Sequence, residues 1–119
     1  TVAVWGLTFK ANTDDLRESP SLAVIENLLE RGAVIRAWDP TVEALRPPIP
    51  CEVVVCADPY VACLDADAVV VLTEWPELEG IDAVKVAELV RRRAVVDARH
   101  ILDRNIWRQA GFDYQGIGR

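Results

Sequence analysis

Apolar residues come in short runs separated by polar turns, and the spacing within the runs switches between two periods. Val2-Ala3-Val4-Trp5 is continuously apolar and reads as a strand, followed by the irregular polar stretch Gly6–Ser19. From Leu22 the period turns helical, with Leu22, Ile25, Leu28 and Leu29 on one stripe. Ser19 suits the N-cap of that helix, Pro20 its first residue and Gly32 its stop. Ala33–Trp38 predicts a second strand ending at Asp39-Pro40, Arg46–Pro50 a stiff loop, and Glu52–Cys56 a short third strand. Asp58-Pro59 opens a brief helix through Leu64.

Asp67–Leu72 is the clearest strand, almost continuously apolar, as expected when helices cover both faces of a sheet. Thr73-Glu74-Trp75-Pro76 ends it. Asp82 begins a helix with Val86, Ala87 and Val90 on one face, closing in Arg91-Arg92-Arg93, where cations complement the helix dipole. Ala94–Asp97 is a fifth strand, Asp103–Ala110 a last helix stopped by Gly111, and Phe112–Gln115 an edge strand. Strands alternating with helices at this spacing predict an α/β fold: a Rossmann-like, doubly wound, mostly parallel sheet. The 119 residues fit one domain over 1–119.

Composition narrows the function classes. No apolar run approaches the ~18–20 residues of a membrane span, and the opening lacks the pattern of an export signal. A soluble cytoplasmic protein is the expectation. The net charge of −6 argues against nucleic acid or an anionic membrane as partner. Cys51, Cys56 and Cys63 are odd in number, lack CxxC spacing and sit among apolar neighbours, so buried inert thiols are expected. A single histidine, His100, cannot build a metal cluster, and no metal is expected.

In a parallel sheet the loops after the strand carboxyl ends gather on one edge, and ligands bind where the chain order reverses. That edge collects Thr8, Lys10, Asp39, Thr73, Glu74, Arg99 and His100. The loop after the first strand carries only Gly6 where a dinucleotide fingerprint needs three glycines, so its charge comes from Lys10 and Arg17. Convergence of Lys10 and Arg99 points to an anionic ligand such as a diphosphate. Bland readings stand beside these. Arg17 has Asp14, Asp15 and Glu18 as local partners, and Arg99 has Asp97 or Asp103. Asp39 reads as a turn cap, while Glu74 and Trp75 read as fixing the loop.

The run Gly6-Leu7-Thr8-Phe9-Lys10, then Asn12–Asp15 and Arg17-Glu18-Ser19-Pro20, resembles the opening of the C-terminal domain of the UDP-glucose/GDP-mannose dehydrogenase family. Trp38-Asp39-Pro40, Thr73-Glu74-Trp75, Val96–Arg99 and the ending Gly116–Arg119 agree in order and fit the UDP-glucose branch best. The resemblance implies the UDP-sugar-binding domain of a three-domain enzyme that oxidises UDP-glucose to UDP-glucuronate with two NAD⁺. By that resemblance Phe9, Lys10 and Arg99 contact the UDP-sugar, and Arg17 reaches across a cleft toward NAD bound mainly by a domain absent here. It also implies a homo-oligomer formed through absent regions and a catalytic cysteine outside this chain. Ala98-Arg99-His100 departs from the Gly-Arg-Asn common in the family. The alternatives are a stand-alone nucleotide-binding regulatory module, a phospho-receiver with Asp58 as acceptor, and an interaction domain.

Overall fold

A computed structural model describes residues 1–117. The chain runs β1 (Val2–Trp5), α1 (Pro20–Glu30), β2 (Ile35–Trp38), β3 (Val54–Val55), α2 (Pro59–Ala62), β4 (Ala68–Val71), a 3-10 turn (Pro76–Gly80), α3 (Ala83–Leu89), β5 (Ala94–Asp97), α4 (Arg104–Gln109) and β6 (Asp113–Gly116). The strands form one sheet in the order β3-β2-β1-β4-β5-β6, with every pairing parallel. Order reverses between β1 and β4, where Val2 faces Ile35 on one side and Ala68 on the other. This is the expected doubly wound, Rossmann-like arrangement, with its switch point beside the β1 loop.

Period-two alternation sorts the strand residues into two cores. Val4, Ile35 and Ala37 point to the face covered by α1, where they meet Leu22 and the fully buried Ile25. Ala3, Trp5, Val69, Val71 and Val95 point to the other face and pack with Ala62, Val86, Ala87 and Trp107 from the remaining helices. Trp107 stands edge-on to both Trp5 and Phe112, with ring centroids 5.9 and 4.8 Å away. Burying a side chain the size of Ile25 contributes about 1.5–3 kcal/mol, so truncating it loosens the seat of α1 and with it the loop that α1 terminates.

Local signals set most helix starts. Asp58, Asp82 and Asp103 each accept hydrogen bonds from two backbone amides of the first turn that follows. Ser19 occupies the N-cap position of α1, but its hydroxyl donates to the Leu7 carbonyl at 2.8 Å, tying the helix start to the β1 loop.

The structure corrects several expectations. Helix α3 stops at Leu89, because Val90 is extended and the Arg91 and Arg92 amides donate to the Ala66 carbonyl. The basic triplet therefore lies past the helix, and Arg91 forks onto Asp67 with contacts of 2.8 and 2.6 Å. The third strand shrinks to two residues, since only Arg36 and Ala37 of β2 pair with it. Cys51 is exposed and donates to Glu52, having followed Pro50 onto the surface loop, whereas Cys56 and Cys63 are buried as expected. The Gly118-Arg119 part of the Gly116–Arg119 motif lies outside the described residues. No described helix is long and apolar enough to cross a membrane.

Candidate functional site

The β1 loop begins with a close approach of two backbones. Gly6 takes φ +102°, and a Cβ there would come within 2.4 Å of the Thr73 side chain, so only glycine fits. Leu7 and Thr8, both fully buried, carry the chain across the carboxyl edge of the sheet. Asp39, at the end of β2, holds them. Its Oδ2 accepts from the Leu7 amide at 2.8 Å, the Thr8 amide at 3.2 Å and Trp75 Nε1 at 3.0 Å. Its Oδ1 accepts from the Thr41 amide and hydroxyl at 2.9 and 2.7 Å. The Thr8 hydroxyl lies 3.2 Å from both Asp39 Oδ2 and the Lys10 carbonyl, and can donate to one at a time. Thr73 Oγ1 donates to the Thr8 carbonyl at 3.0 Å. A buried carboxylate is tolerated when donors surround it, and Asp39 is only 2% exposed.

Beyond Thr8 the loop turns outward. The Phe9 amide donates to the Asp15 carbonyl at 2.8 Å, closing a polar hairpin, while its ring is 46% exposed. Lys10 is exposed and forms no ion pair among the described residues. Arg17 is paired with Asp15, its Nε 3.1 Å from Oδ1, and both groups are open to water. That contact raises the guanidinium pKa and holds the Asp15 carboxyl below its ordinary range. Phe9, Asp15, Arg17 and Glu18 border a shallow cleft of about 350 Å³.

The β5 loop is built on a second buried carboxylate. Asp97 is fully buried and accepts from the Arg99 amide at 3.1 Å, the Leu102 amide at 2.9 Å and the Tyr114 hydroxyl at 2.8 Å. The Arg99 side chain chooses neither acidic residue anticipated for it. Its Nε donates to Glu74 Oε2, next to Thr73. Burial alone would raise the Glu74 carboxyl; hydrogen bonds from Arg99, its own amide and the Ala11 amide, with the Arg99 charge, hold it below the ordinary range. His100 adopts the left-handed conformation, φ 56°, that glycine and asparagine favour. Its Nε2 lies 2.6 Å from the Ile117 carbonyl and must donate to it, since a carbonyl only accepts.

Lys10 and Arg99 thus sit on loops of the same sheet edge, connected by Glu74, which holds Arg99, and its neighbour Thr73, which holds the Thr8 carbonyl. Arg17 lies past the closing pair of the hairpin, beside Phe9 on the shallow cleft. Thr8, Asp39 and Thr73, which sequence placed on this edge as polar candidates, are buried framework. Asp39 has both oxygens occupied, so it has no acceptor to offer a ribose. With one glycine in the turn, the β1 loop does not fit an NAD diphosphate. No group of three or more His, Cys, Asp or Glu among the described residues could hold a metal ion.

Residues 3–104 match the UDP binding domain of the UDP-glucose/GDP-mannose dehydrogenase family. The chain belongs to that family. The UDP-glucose 6-dehydrogenase of Pseudomonas aeruginosa is 44% identical over an alignment that takes in all of this chain and 28% of that protein. Among solved structures, a UDP-glucose dehydrogenase from Pyrobaculum islandicum is 37% identical, with a TM-score of 0.77 over 97% of this chain and 24% of its own. An NDP-N-acetyl-D-galactosaminuronic acid dehydrogenase from Methanosarcina mazei superposes with a TM-score of 0.86 at 27% identity, covering 99% of this chain and 24% of its own. The chain therefore spans about a quarter of the length of these dehydrogenases, and its fold is that of one domain of the family.

Proposed function

We propose that residues 1–119 are the UDP-sugar-binding domain of an NAD-dependent UDP-glucose 6-dehydrogenase, the enzyme that oxidises UDP-glucose to UDP-glucuronate. What supports this reading is that Lys10 and Arg99 lie on loops leaving the carboxyl edge of the sheet near its switch point, each loop anchored by a buried carboxylate. Lys10 brings a compact ammonium and Arg99 a planar fork, a combination suited to two adjacent phosphates. The exposed Phe9 ring beside them offers an apolar face to the base or sugar. Arg17, exposed just past the hairpin, faces outward toward NAD held by another domain.

In this reading the chain supplies binding and leaves covalent chemistry to residues outside it. Burial pushes the Cys63 thiol up to about 12, and the Glu52 carboxylate raises that of Cys51, so neither offers a thiolate near neutrality. Hydride transfer to NAD is chemistry supplied by the cofactor, and this chain's part is to fix the diphosphate end of the substrate. The remaining domains of the parent enzyme, a homo-oligomer formed through them, and a cytoplasmic setting belong to the same proposal.

Titration of the purified chain with UDP, UDP-glucose and NAD⁺, followed by amide NMR shifts, tests it. UDP ligands should move the Phe9–Ala11 and Arg99 signals. Lys10→Ala and Arg99→Ala should each weaken UDP binding by about 1.5–3 kcal/mol, the usual loss for a charge-assisted contact. Binding of NAD⁺ in preference to UDP, or unchanged UDP affinity in both variants, would sink the assignment.

A further inference from the structure

Glu74 is an odd neighbour for an anion site. A carboxylate beside a diphosphate repels it, yet this one is half-buried directly against Arg99. Two roles are chemically open to it. As a stand-in anion it would occupy Arg99 until phosphate displaced it, and its removal would strengthen binding. As a strut it would hold Arg99 in place while phosphate used other atoms, and its removal would weaken binding.

The contact geometry separates the two. Glu74 takes Arg99 through Nε, the donor closest to the side-chain stem, and the terminal NH1 and NH2 have no hydrogen-bond acceptor among the described residues. A guanidinium has five donors in a rigid plane, so one edge can be held while another presents a fork to phosphate. The other end of the connection is fixed as well. Glu74 follows Thr73, whose hydroxyl is bonded to the Thr8 carbonyl, and it precedes Trp75, whose indole is bonded to Asp39. The backbone carrying Glu74 is therefore locked on both sides and tied to the root of the β1 loop, while its side chain reaches the Arg99 loop.

We infer that Glu74 is a positioning residue for the anion site, holding Arg99 by its Nε edge and joining the Arg99 loop to the Lys10 loop so that both cations face one ligand. The inference rests on the assignment of Lys10 and Arg99 to the diphosphate. Without the strut, a long arginine side chain samples many rotamers in water, and each must be surrendered on binding. The gain from deleting one negative charge is screened by solvent at this half-exposed position.

The test uses the whole chain and the variants Glu74→Ala and Glu74→Gln, with UDP as probe and Arg99 Nε–Hε NMR as a second readout. Glu74→Ala should weaken UDP binding five- to tenfold while leaving the thermal midpoint essentially unchanged. Glu74→Gln retains an acceptor for Nε–H and should recover most of the affinity. Unchanged UDP binding in Glu74→Ala overturns the inference, and tighter binding does so by identifying the carboxylate as a competitor. The Arg99 signal needs no ligand. It should report a side chain that is rigid in the parent chain and mobile in Glu74→Ala, and equal mobility in both overturns the inference even if UDP does not bind. Failure of the functional reading shows up differently, as UDP affinity that is absent or indifferent to Arg99→Ala.

Discussion

The root of the β1 loop and the part beyond it are opposite in burial and in bonding. Gly6, Leu7 and Thr8 are buried, and they are bonded to Asp39, Thr73, Trp38 and Ser19. Phe9, Lys10 and Arg17 are exposed, and of their side chains only that of Arg17 has an ionic partner among the described residues. The difference teaches where a binding loop keeps its rigidity. A buried, fully satisfied polar network fixes the exit direction of the chain, and the recognition groups past it stay in water, where a ligand can reach them. Stability and binding should therefore be separable along a single loop.

The strongest attempt to break that contrast is Asp39→Ala. It leaves several buried donors without an acceptor, at about 1–3 kcal/mol each with partial relaxation. A total loss of about 4 kcal/mol is expected by urea denaturation, with UDP binding lost as well. A loss under about 1 kcal/mol would mean that water replaces the carboxylate and that the root is not closed. Gly6→Ala comes next. Its Cβ meets Thr73 in a conformation L-residues avoid, and about 3 kcal/mol of destabilisation is expected in the same assay.

At the tip the expectation inverts. Lys10→Ala there, and Arg99→Ala on the β5 loop, should move stability by less than about 0.5 kcal/mol, as surface substitutions do, while UDP affinity falls. Arg17→Ala should leave both the thermal midpoint and UDP affinity of this chain unchanged, since its contact with Asp15 is solvent-exposed. Any sizeable drop in the midpoint would show that the segment between the hairpin and α1 supports the fold after all.

A further small effect belongs to the opposite edge of the sheet, where Asp67 meets Arg91. Hydrogen bonds from Arg91 hold the Asp67 carboxyl well below its ordinary 3.8. A depressed carboxyl contributes stability that is present above its unfolded pKa and lost as pH falls through the folded value. Arg91→Ala should shift the Asp67 titration upward toward 3.8, read by carboxyl-carbon NMR, and narrow the pH range over which acid weakens the fold.

Strand positions and helix starts were legible in the sequence because each rests on local physics. The continuous apolar runs at β1 and β4 needed no partner to be recognised, and the aspartates at 58, 82 and 103 announced helix starts through their own amide neighbours. The end of α3 was not legible. Nothing between Val86 and Arg93 forbids a further turn; the Ala66 carbonyl ends it by competing for the amides of Arg91 and Arg92. At the site, Lys10 and Arg99 could be placed because βα loops follow strands. The partner of Arg99 could not, since Glu74 is 25 residues away and Asp97 and Asp103 are nearer in sequence. Asp39 illustrates the same limit. Its local role toward Thr41 matches the turn-cap reading, while its bonds to Leu7, Thr8 and Trp75 cross 31 to 36 residues. The one local signal for them was an Asp-Pro pair at a strand end.

Those crossings have a consequence for the order in which the chain acquires its properties. A contact that closes more than thirty residues forms after shorter-range structure has removed most of the chain's freedom. The carboxylate of Asp39 needs β1, β2 and the segment after β4 in place before it can gather its donors. A refolding chain should therefore regain its helical circular dichroism before it regains affinity for UDP, and the lag between the two signals would measure how late this corner closes. Any ligand that depends on the loop past Thr8 then selects the completed fold over every partly folded one.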